Sequence, residues 1–239
     1  MTHNNRRLRH EYKYIITNAM AQTLKRRLSV VMKSDKYADA QSGGYRVTSL
    51  YLENIYRSSY NDKMAGIGQR SKFRVRAYNL DPSVINLEVK YKDDEYISKK
   101  HARLTLEQYQ MLLKGDYSFG VSEEFKSTAM EELLISDKLS RPRPSVLVDY
   151  FREAFIEPAG NIRVTLDSGL STSYNSLDIF NARYSPVWGN AVILEIKYNS
   201  FMPTYICDIF ADFSLRKETV SKFVICTDKL LEVKKQCIL

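Results

Sequence analysis

The feature that most constrains this chain is a period-two alternation of charged and apolar residues, repeated in many short segments. Residues 72–76 read Lys-Phe-Arg-Val-Arg, and residues 194–198 read Leu-Glu-Ile-Lys-Tyr. Side chains two positions apart in a β-strand lie on the same face of a sheet, so each segment predicts a strand with one charged and one apolar face. The chain is therefore expected to fold around a sheet whose faces differ in polarity.

Eight segments combine this alternation with β-branched and aromatic residues, which is the signature of strands. The predicted strands are residues 9–16, 45–53, 72–79, 84–92, 96–104, 146–155, 161–167 and 192–198. Eight strands of this length suit a barrel.

Apolar residues at helical spacing predict helices that could cover the apolar face of the sheet. The predicted helices are residues 19–32, 106–113, 123–139, 204–213 and 219–231. Thr105 and Gln108 fit a capping box at the start of the second helix. Residues 54–69 are expected to form a loop or a short helix. The alternating strand pattern seen before residues 140–145 continues after them, which indicates a connection within one domain. A single domain over residues 1–239 is therefore predicted.

The charged faces repeat one pattern, Glu-x-Lys-Tyr, at residues 11–14, 88–91 and 195–198. Guanidinium groups share faces elsewhere, as Arg74 does with Arg76. Lysine and arginine total 36 against 28 acidic residues, which gives a net charge of +8. An excess of this sign favours an anionic partner.

Two architectures are compatible with these charged faces. In the first, the charged face of a sheet lies in water, and cross-strand ion pairs contribute about 0.2–1 kcal/mol each. In the second, a closed barrel has helices outside and a basic lumen. The repeated choice of arginine favours the second, because a guanidinium binds phosphate oxygens bidentately and keeps its charge.

Several functional classes are disfavoured by the sequence. No apolar run approaches the ~18 residues that a membrane span needs, and the mean hydropathy is −0.37. The polar, basic residues 1–9 do not resemble a secretory signal, and the three cysteines form no CxxC pair. We therefore expect a cytoplasmic protein with reduced thiols. Nucleic-acid binding through residues 72–78 is disfavoured, because alternation places Phe73 and Val75 opposite the arginines.

The motifs, taken in order, resemble the VTC domain, the catalytic domain of polyphosphate polymerase, within the triphosphate tunnel metalloenzymes of the CYTH-like superfamily. The matching stretches are residues 9–14, 49–52, 72–78, 87–90, 98–103, 150–155, 163–167, 194–198 and 221–223. The resemblance implies an α+β fold in which an eight-stranded antiparallel β-barrel, with helices packed outside, encloses a tunnel that grips a chain of phosphates.

The resemblance also implies roles for individual residues. The expected catalytic residues are Arg74, Arg76, Lys90, Arg152, Arg163 and Lys222. The expected phosphate-binding residues are Lys13, Lys99, Arg103, Tyr150 and Ser221, together with Arg9 and Lys197 on the charged faces. Lys100 and His101 are alternatives to Lys99 and Arg103. Glu195 matches the metal-binding carboxylate for Mn²⁺ or Mg²⁺, and Glu11 and Glu88 either assist the metal or pair with neighbouring lysines.

The implied activity is transfer of the γ-phosphate of ATP to a growing polyphosphate chain. The wider superfamily usually opens with Glu-x-Glu-x-Lys, whereas Arg9 occupies the first position here. With a guanidinium in place of a carboxylate at this position, the sequence resembles the polymerase branch of the superfamily more than the triphosphatase branch. The alternatives are a metal-dependent triphosphatase or polyphosphatase and a non-catalytic module that binds polyphosphate or nucleotide. The expected partners are ATP, polyphosphate and inorganic phosphate, with no nucleic acid and no membrane span.

Overall fold

A computed structural model describes residues 10–93 and 96–236, without the side chains of residues 96 and 97. Arg9, which the sequence predicts to bind phosphate, and Cys237 lie outside these residues. Cys207 is exposed, Cys226 is buried, and both are free thiols. The described chain is a mixed α+β structure with a large antiparallel sheet.

The strands of the described residues are β1 (His10–Thr17), β2 (Lys33–Ser34), β3 (Tyr45–Glu53), β4 (Arg70–Tyr78), β5 (Ile85–Asp93), β6 (Tyr96–Leu104), β7 (Arg143–Glu157), β8 (Ile162–Ser173), β9 (Tyr184–Pro186) and β10 (Ala191–Tyr198). Each of the eight predicted strands is confirmed, with ends that differ by up to six residues. The sequence did not predict β2 and β9, because two and three residues are too short to show a period.

The helices of the described residues are α1 (Asn18–Val31), α2 (Ser58–Met64), α3 (Leu106–Leu113), α4 (Ala129–Ser140), α5 (Thr204–Ala211) and α6 (Lys222–Gln236). The capping box of α3 is confirmed, since the Thr105 hydroxyl accepts from the Gln108 N–H at 3.1 Å and the Gln108 side chain accepts from the Thr105 N–H at 2.9 Å. Across residues 10–93 and 96–236, no helix combines the length and hydrophobicity needed to cross a membrane.

The predicted helix at residues 123–139 is wrong over its first turns. Glu123–Phe125 form one 3₁₀ turn, and Ser127 has a φ of 59°, in the left-handed region that ends a right-handed helix. Thr128 then starts a new helix, because its hydroxyl accepts a hydrogen bond from the Met130 N–H at 3.2 Å. Local backbone conformation and capping therefore divide a segment whose apolar spacing looked continuous.

Strand pairing corrects the prediction of a closed eight-stranded barrel. Hydrogen-bonded neighbours follow the order β1-β10-β8-β7-β3-β4-β5-β6, with β2 beside β7 and β9 beside β8. Among the described strands this path has two ends, whereas a closed barrel needs a ring of pairings. At the β1 end, the Lys13 carbonyl accepts from the Glu218 N–H at 2.8 Å and Tyr14 bridges to Lys217. The outer edge of β1 is thus met by residues 217–218, and no further strand of the described residues pairs with it.

The chain divides into two compact units. The first, called the β1 unit, comprises the described residues of Met1–Tyr45, Tyr150–Leu170 and Trp188–Val220. The second, called the β4 unit, comprises the described residues of Arg46–Asp149, Ser171–Val187 and Ser221–Leu239. Strands β7 and β8 contribute residues to both units.

The core of the β1 unit lies between the apolar face of its strands and two helices. Alternate residues of β8 and β10, including Val164 and Leu194, pack with Leu24 and Leu28 of α1 and with Ile206 of α5. All five side chains are essentially inaccessible to solvent. The opposite strand faces in this unit therefore carry the charged residues, as the alternation predicted.

The β4 unit has the same layered arrangement. Its meander β3-β4-β5-β6 is antiparallel throughout, and the apolar face of the meander is covered by α3 and α4. Val75 and Leu87 of the sheet and Leu112 and Met130 of the helices are completely buried. Covering this face leaves the other one for Arg74 and its neighbours.

Candidate phosphate-binding site

The charged face of the β4 unit is organised by strand register. Arg74 and Arg76 alternate with the buried residues Phe73 and Val75 along β4. Arg74 lies opposite Tyr51 of β3 and Glu88 of β5, and Arg76 lies opposite Ser49 and Asn86. Arg74, Arg76, Asn86 and Glu88 belong to the lining of a cleft of about 380 Å³. Its other lining residues are Tyr78, Lys99, Lys100 and His101.

Arg74 and Arg76 are held in place by neighbours on the same face. Arg74 Nε and Nη2 both donate to Glu88 Oε2, at 2.7 and 2.5 Å. Arg76 Nε donates to Ser49 Oγ at 3.1 Å, and Arg76 Nη1 lies 3.8 Å from the same Glu88 oxygen. Burial alone would raise the pKa of Glu88, but the charges of Arg76, Arg74 and Lys99 lower it. Two guanidinium groups therefore stand side by side, oriented by one ionised carboxylate.

Strand β6 shows which of its basic residues border the cleft. Lys99, Lys100 and His101 line it, whereas Arg103 donates to the Ser83 carbonyl. Lys100 also donates to Glu132 of α4, at 2.5 Å. The alternatives that the sequence left open thus reduce to residues 99–101 for this cleft, and the assignment of Arg103 to phosphate stays a prediction.

Tyr51 is a residue of this face that the sequence reasoning did not select. Its hydroxyl accepts from Arg74 Nη1 at 3.2 Å, and its ring centroid lies 4.8 Å from that of Phe223. Burial opposes ionisation, but the positive charges of Arg74, Arg76 and Lys222 lower the pKa of Tyr51. Period-two spacing from Ser49 was the signal that could have found it.

The start of α6 carries two predicted site residues into the β4 unit. Ser221 precedes the helix, and its Oγ accepts from the Val224 N–H at 3.5 Å, while Lys222 is the first helical residue. Phe223 is buried against Tyr51. This packing brings Lys222 close enough to act electrostatically on Tyr51. Lys90 lies on β5, opposite both Lys72 and Lys99.

The β1 unit holds a second charged face, built from β1 and β10. Register places Glu11 opposite Lys197 and Lys13 opposite Glu195, so the two acids lie on one diagonal and the two lysines on the other. Lys13 Nζ is 2.9 Å from Glu11 Oε1, and Lys197 makes ion pairs with Glu195 and Glu11. Burial would raise the pKa of Glu195, but Lys197 and Lys13 lower it.

Arg152 of β7 is fixed by a buried carboxylate. Its Nε and Nη2 donate to the two oxygens of Asp167 at 2.6 and 2.7 Å, and its guanidinium lies 5.2 Å from the ring centroid of Tyr150. Burial disfavours the charged form, yet Tyr150, Asp167 and Glu195 raise the pKa of Arg152. The two parallel hydrogen bonds make this a bidentate pair, which fixes the orientation of the guanidinium.

Arg163 of β8 is held by two side chains that the sequence analysis did not name as site residues. Its Nη2 donates to Asp35 Oδ2 at 2.7 Å and to the Tyr45 hydroxyl at 2.9 Å. Arg163 Nε and Thr165 Oγ1 are buried and have no hydrogen-bond partner within the described residues. Thr165 lies opposite Glu195. Buried polar atoms of this kind normally bind water or a ligand.

The fit of a divalent metal to these residues rests on Glu11 and Glu195. The described part of the chain contains no group of three or more His, Cys, Asp or Glu side chains arranged to hold a metal ion. Mg²⁺ is commonly held by one or two carboxylates, with water and substrate phosphates completing its coordination. Glu11 and Glu195 are the two carboxylates present on this face, and each is ion-paired with a lysine. Glu88 instead receives both hydrogen bonds from Arg74 in the β4 unit.

Comparison with known proteins identifies the family. The family model of the VTC domain matches residues 8–231. No curated protein matches the chain. A putative adenylate cyclase from Bacillus halodurans is similar in structure, with a TM-score of 0.51 and 13% identity over 90% of this chain and 93% of that one. The PH1819 protein of Pyrococcus horikoshii OT3 has a TM-score of 0.46 and 11% identity over 92% of this chain and 99% of that one. Since the family model spans nearly the whole sequence, the chain belongs to the VTC domain family.

Proposed function

We propose that this protein is a metal-dependent phosphotransferase that moves the γ-phosphate of ATP to the end of a polyphosphate chain. Membership of the VTC family supports phosphate chemistry. The observation that carries the proposal is the cleft of about 380 Å³ in which Arg74 and Arg76 stand side by side with Lys99. In this reading Arg74, Arg76, Lys90 and Lys222 bind phosphates in the β4 unit, with ATP, polyphosphate and inorganic phosphate as ligands.

Phosphoryl transfer does not require the protein to form a covalent bond with the substrate. Phosphoryl transfer is catalysed mainly by positioning the groups in line and by neutralising charge on the transferred phosphate. Arg74 is pre-oriented by Glu88 and Tyr51, and Arg76 by Ser49. Pre-oriented charges need no rearrangement during the reaction, which is the usual source of large electrostatic rate effects. An acceptor phosphate oxygen can attack the γ-phosphate directly, so no protein nucleophile is required.

The β1 unit supplies a second set of candidate residues. Arg152 and Arg163 have fixed guanidinium groups, and Lys13 and Lys197 flank the two acids. Glu11 and Glu195 would hold Mn²⁺ or Mg²⁺, which would neutralise phosphate charge when bound. The orphaned Arg163 Nε and Thr165 Oγ1 agree with a polar ligand at this face.

The decisive experiment incubates the purified chain with ATP and Mn²⁺ and separates the products by gel electrophoresis. We expect long-chain polyphosphate and ADP. Arg74→Met should reduce turnover by roughly 10²–10³, the effect of removing one preorganised electrostatic group. Lys114→Met, an exposed lysine at the end of α3, is the matched control and should keep full activity.

Metal dependence is tested separately with Glu195→Gln, which keeps the shape of the side chain but removes its charge. We expect weaker Mn²⁺ binding by electron paramagnetic resonance and a matching loss of turnover. Full activity and unchanged Mn²⁺ binding in this variant would remove Glu195 from the metal site.

A binding module is the second candidate, and one observation favours it. Each proposed metal-binding carboxylate is already ion-paired: Glu88 with Arg74, Glu11 with Lys13 and Glu195 with Lys197. The acids can therefore serve to limit repulsion between cations. Binding of tripolyphosphate without any consumption of ATP would establish this role, and phosphate release without polymer would establish a hydrolase.

A further inference from the structure

Lys72 occupies an unassigned place on the basic face of the β4 unit. It shares the strand face of Arg74 and Arg76, because the three residues alternate with the buried side chains of β4. Register places Lys72 opposite Lys90, and Lys90 opposite Lys99. Three lysines on adjacent strands thus form a row directly beside the two arginines.

The side chain of Lys72 is also positioned from the helical side. Its Nζ lies 4.1 Å from the centroid of the Phe223 ring. Phe223 follows the expected catalytic residue Lys222 and packs against Tyr51, the hydroxyl of which accepts from Arg74. The contact with the ring holds the Lys72 amine at the start of α6, where Ser221 and Lys222 are expected to bind phosphate.

The surroundings of Lys72 oppose its positive charge. Burial is the largest cause, and with the charges of Arg70 on β4, Lys63 on α2 and Lys90 on β5 it lowers the pKa of Lys72 to about 7. Glu53 of β3 acts in the other direction. The structure therefore contains a half-buried amine that changes protonation near neutral pH.

Glu53 opposes this lowering of the Lys72 pKa only in part, and its Oε1 has no hydrogen-bond partner within the described residues. It is buried, and its Oε2 accepts from the Tyr60 N–H of α2 at 3.1 Å. Burial raises the pKa of Glu53, while hydrogen bonds from Ser59 and Tyr60 lower it in part. The Glu53 carboxylate therefore both accepts a hydrogen bond from the first turn of α2 and stabilises the charged form of Lys72.

We propose that Lys72 is an additional anion-binding residue of this face and that its amine takes up a proton when a chain of phosphates binds. The proposal rests on the proposed function only in taking a phosphate chain as the ligand. Without the anion, a neutral amine reduces repulsion along the lysine row. With the anion, its negative charge stabilises the ammonium, and the proton comes from solvent.

This coupling has a definite sign. Anion binding favours the charged form, so it raises the pKa of Lys72 in the complex. The contribution of Lys72 to affinity is then complete below about pH 7, where the amine is already charged in the empty protein. It decreases as the pH rises above 7, because the binding free energy must then also charge the amine.

The test measures the dissociation constant of tripolyphosphate between pH 6 and pH 9 by calorimetry, without metal or ATP. Wild type is compared with Lys72→Met, Lys72→Arg and the exposed control Lys114→Met. At pH 6 we expect Lys72→Met to bind on the order of tenfold more weakly, the effect of losing one charge-assisted contact. This ratio should shrink steadily towards pH 9, whereas the advantage of Lys72→Arg over Lys72→Met should stay constant. Lys114→Met should follow wild type.

Proton uptake is measured directly by repeating the titration at pH 7.5 in two buffers of different ionisation enthalpy. Wild type should take up more protons per bound tripolyphosphate than Lys72→Arg, since ionisation of the ligand itself cancels in the comparison. This readout compares wild type with one variant, and both keep a basic side chain at position 72, so it does not require Lys72→Met to fold.

The outcomes separate the inference from the proposed function. If wild type fails to bind tripolyphosphate, the proposed function fails and the inference falls with it. If wild type binds and Lys72→Met shows the same affinity at every pH, Lys72 is not a binding residue, while the proposed function stands. A ratio independent of pH, with equal proton uptake in wild type and Lys72→Arg, overturns the proton coupling.

Discussion

Each unit contains an arginine–carboxylate pair, and the two pairs hold the guanidinium group with different geometries and different exposure to solvent. In the β1 unit, Arg152 binds both oxygens of Asp167, and the Asp167 side chain is completely inaccessible to solvent. In the β4 unit, both donors of Arg74 converge on one oxygen of Glu88, and the two side chains are 18% and 20% exposed at the cleft. Asp167 is thus committed to its arginine, whereas Glu88 stands where an arriving anion competes with it.

The largest expected effect comes from breaking the buried pair. Asp167→Asn leaves the buried charge of Arg152 without its counter-ion, and we expect the free energy of unfolding to fall by about 3–5 kcal/mol. Urea denaturation measures the loss. The control is Glu123→Gln in the exposed pair with Lys126, which should change stability by less than about 1 kcal/mol. Similar small effects in both variants would show that Asp167 does not hold Arg152 as tightly as its burial indicates.

The second prediction concerns the pair at the cleft. Glu88→Gln removes the negative charge that faces Arg74 and Arg76, so tripolyphosphate should bind on the order of tenfold more tightly in the absence of metal. Asp167→Asn should not tighten binding, because its carboxylate is buried behind the arginine. Calorimetric titration of both variants makes the comparison. Weaker binding by Glu88→Gln would mean that Glu88 orients the arginines more than it competes with the ligand.

The smallest expected effect is on the pH dependence of stability. Despite burial, the positive charges of Arg76, Arg74 and Lys99 lower the pKa of Glu88 in the folded protein. The resulting stabilisation is complete above the ordinary glutamate pKa of about 4.3 and is lost as the pH falls through the lowered folded value. The free energy of unfolding of wild type should therefore exceed that of Glu88→Gln at pH 7 by about 1 kcal/mol at most, as expected for a partly exposed ion pair, and the difference should disappear in acid. An unchanged difference from pH 7 to pH 3 would contradict the shift.

Much of the fold was predictable because its signals are local. Alternation at two-residue spacing identified the eight longer strands and put Arg74 and Arg76 on one face of β4. The α3 capping box was predictable from Thr105 and Gln108 alone. Motif order identified the VTC family, and the family model confirms it.

The hydrogen-bonding and charged partners of the candidate site residues could not be predicted from the sequence as readily. Asp35 lies just after the short strand β2, and nothing in its local pattern indicates a contact with Arg163 on β8. The sequence does not distinguish Tyr51 as a site residue, because a tyrosine that alternates with buried Leu50 and Leu52 is equally typical of a strand that only packs against its neighbours. The effects of the neighbours of Lys72 on its charge likewise depend on where α2 and α6 pack.

The order of residues along each strand is enough to show which side chains lie on its charged face, since the pleat of a strand is a property of consecutive residues. Three other features follow only from the folded chain: which carboxylate contacts which arginine, which strands lie at the ends of the sheet order, and how strongly Lys72 is desolvated. These depend on register and on the path of distant segments: Asp167 reaches Arg152 through pairing of neighbouring strands, and residues 217–218 meet the edge of β1. Charge on a face is local information, whereas the partner of that charge is not.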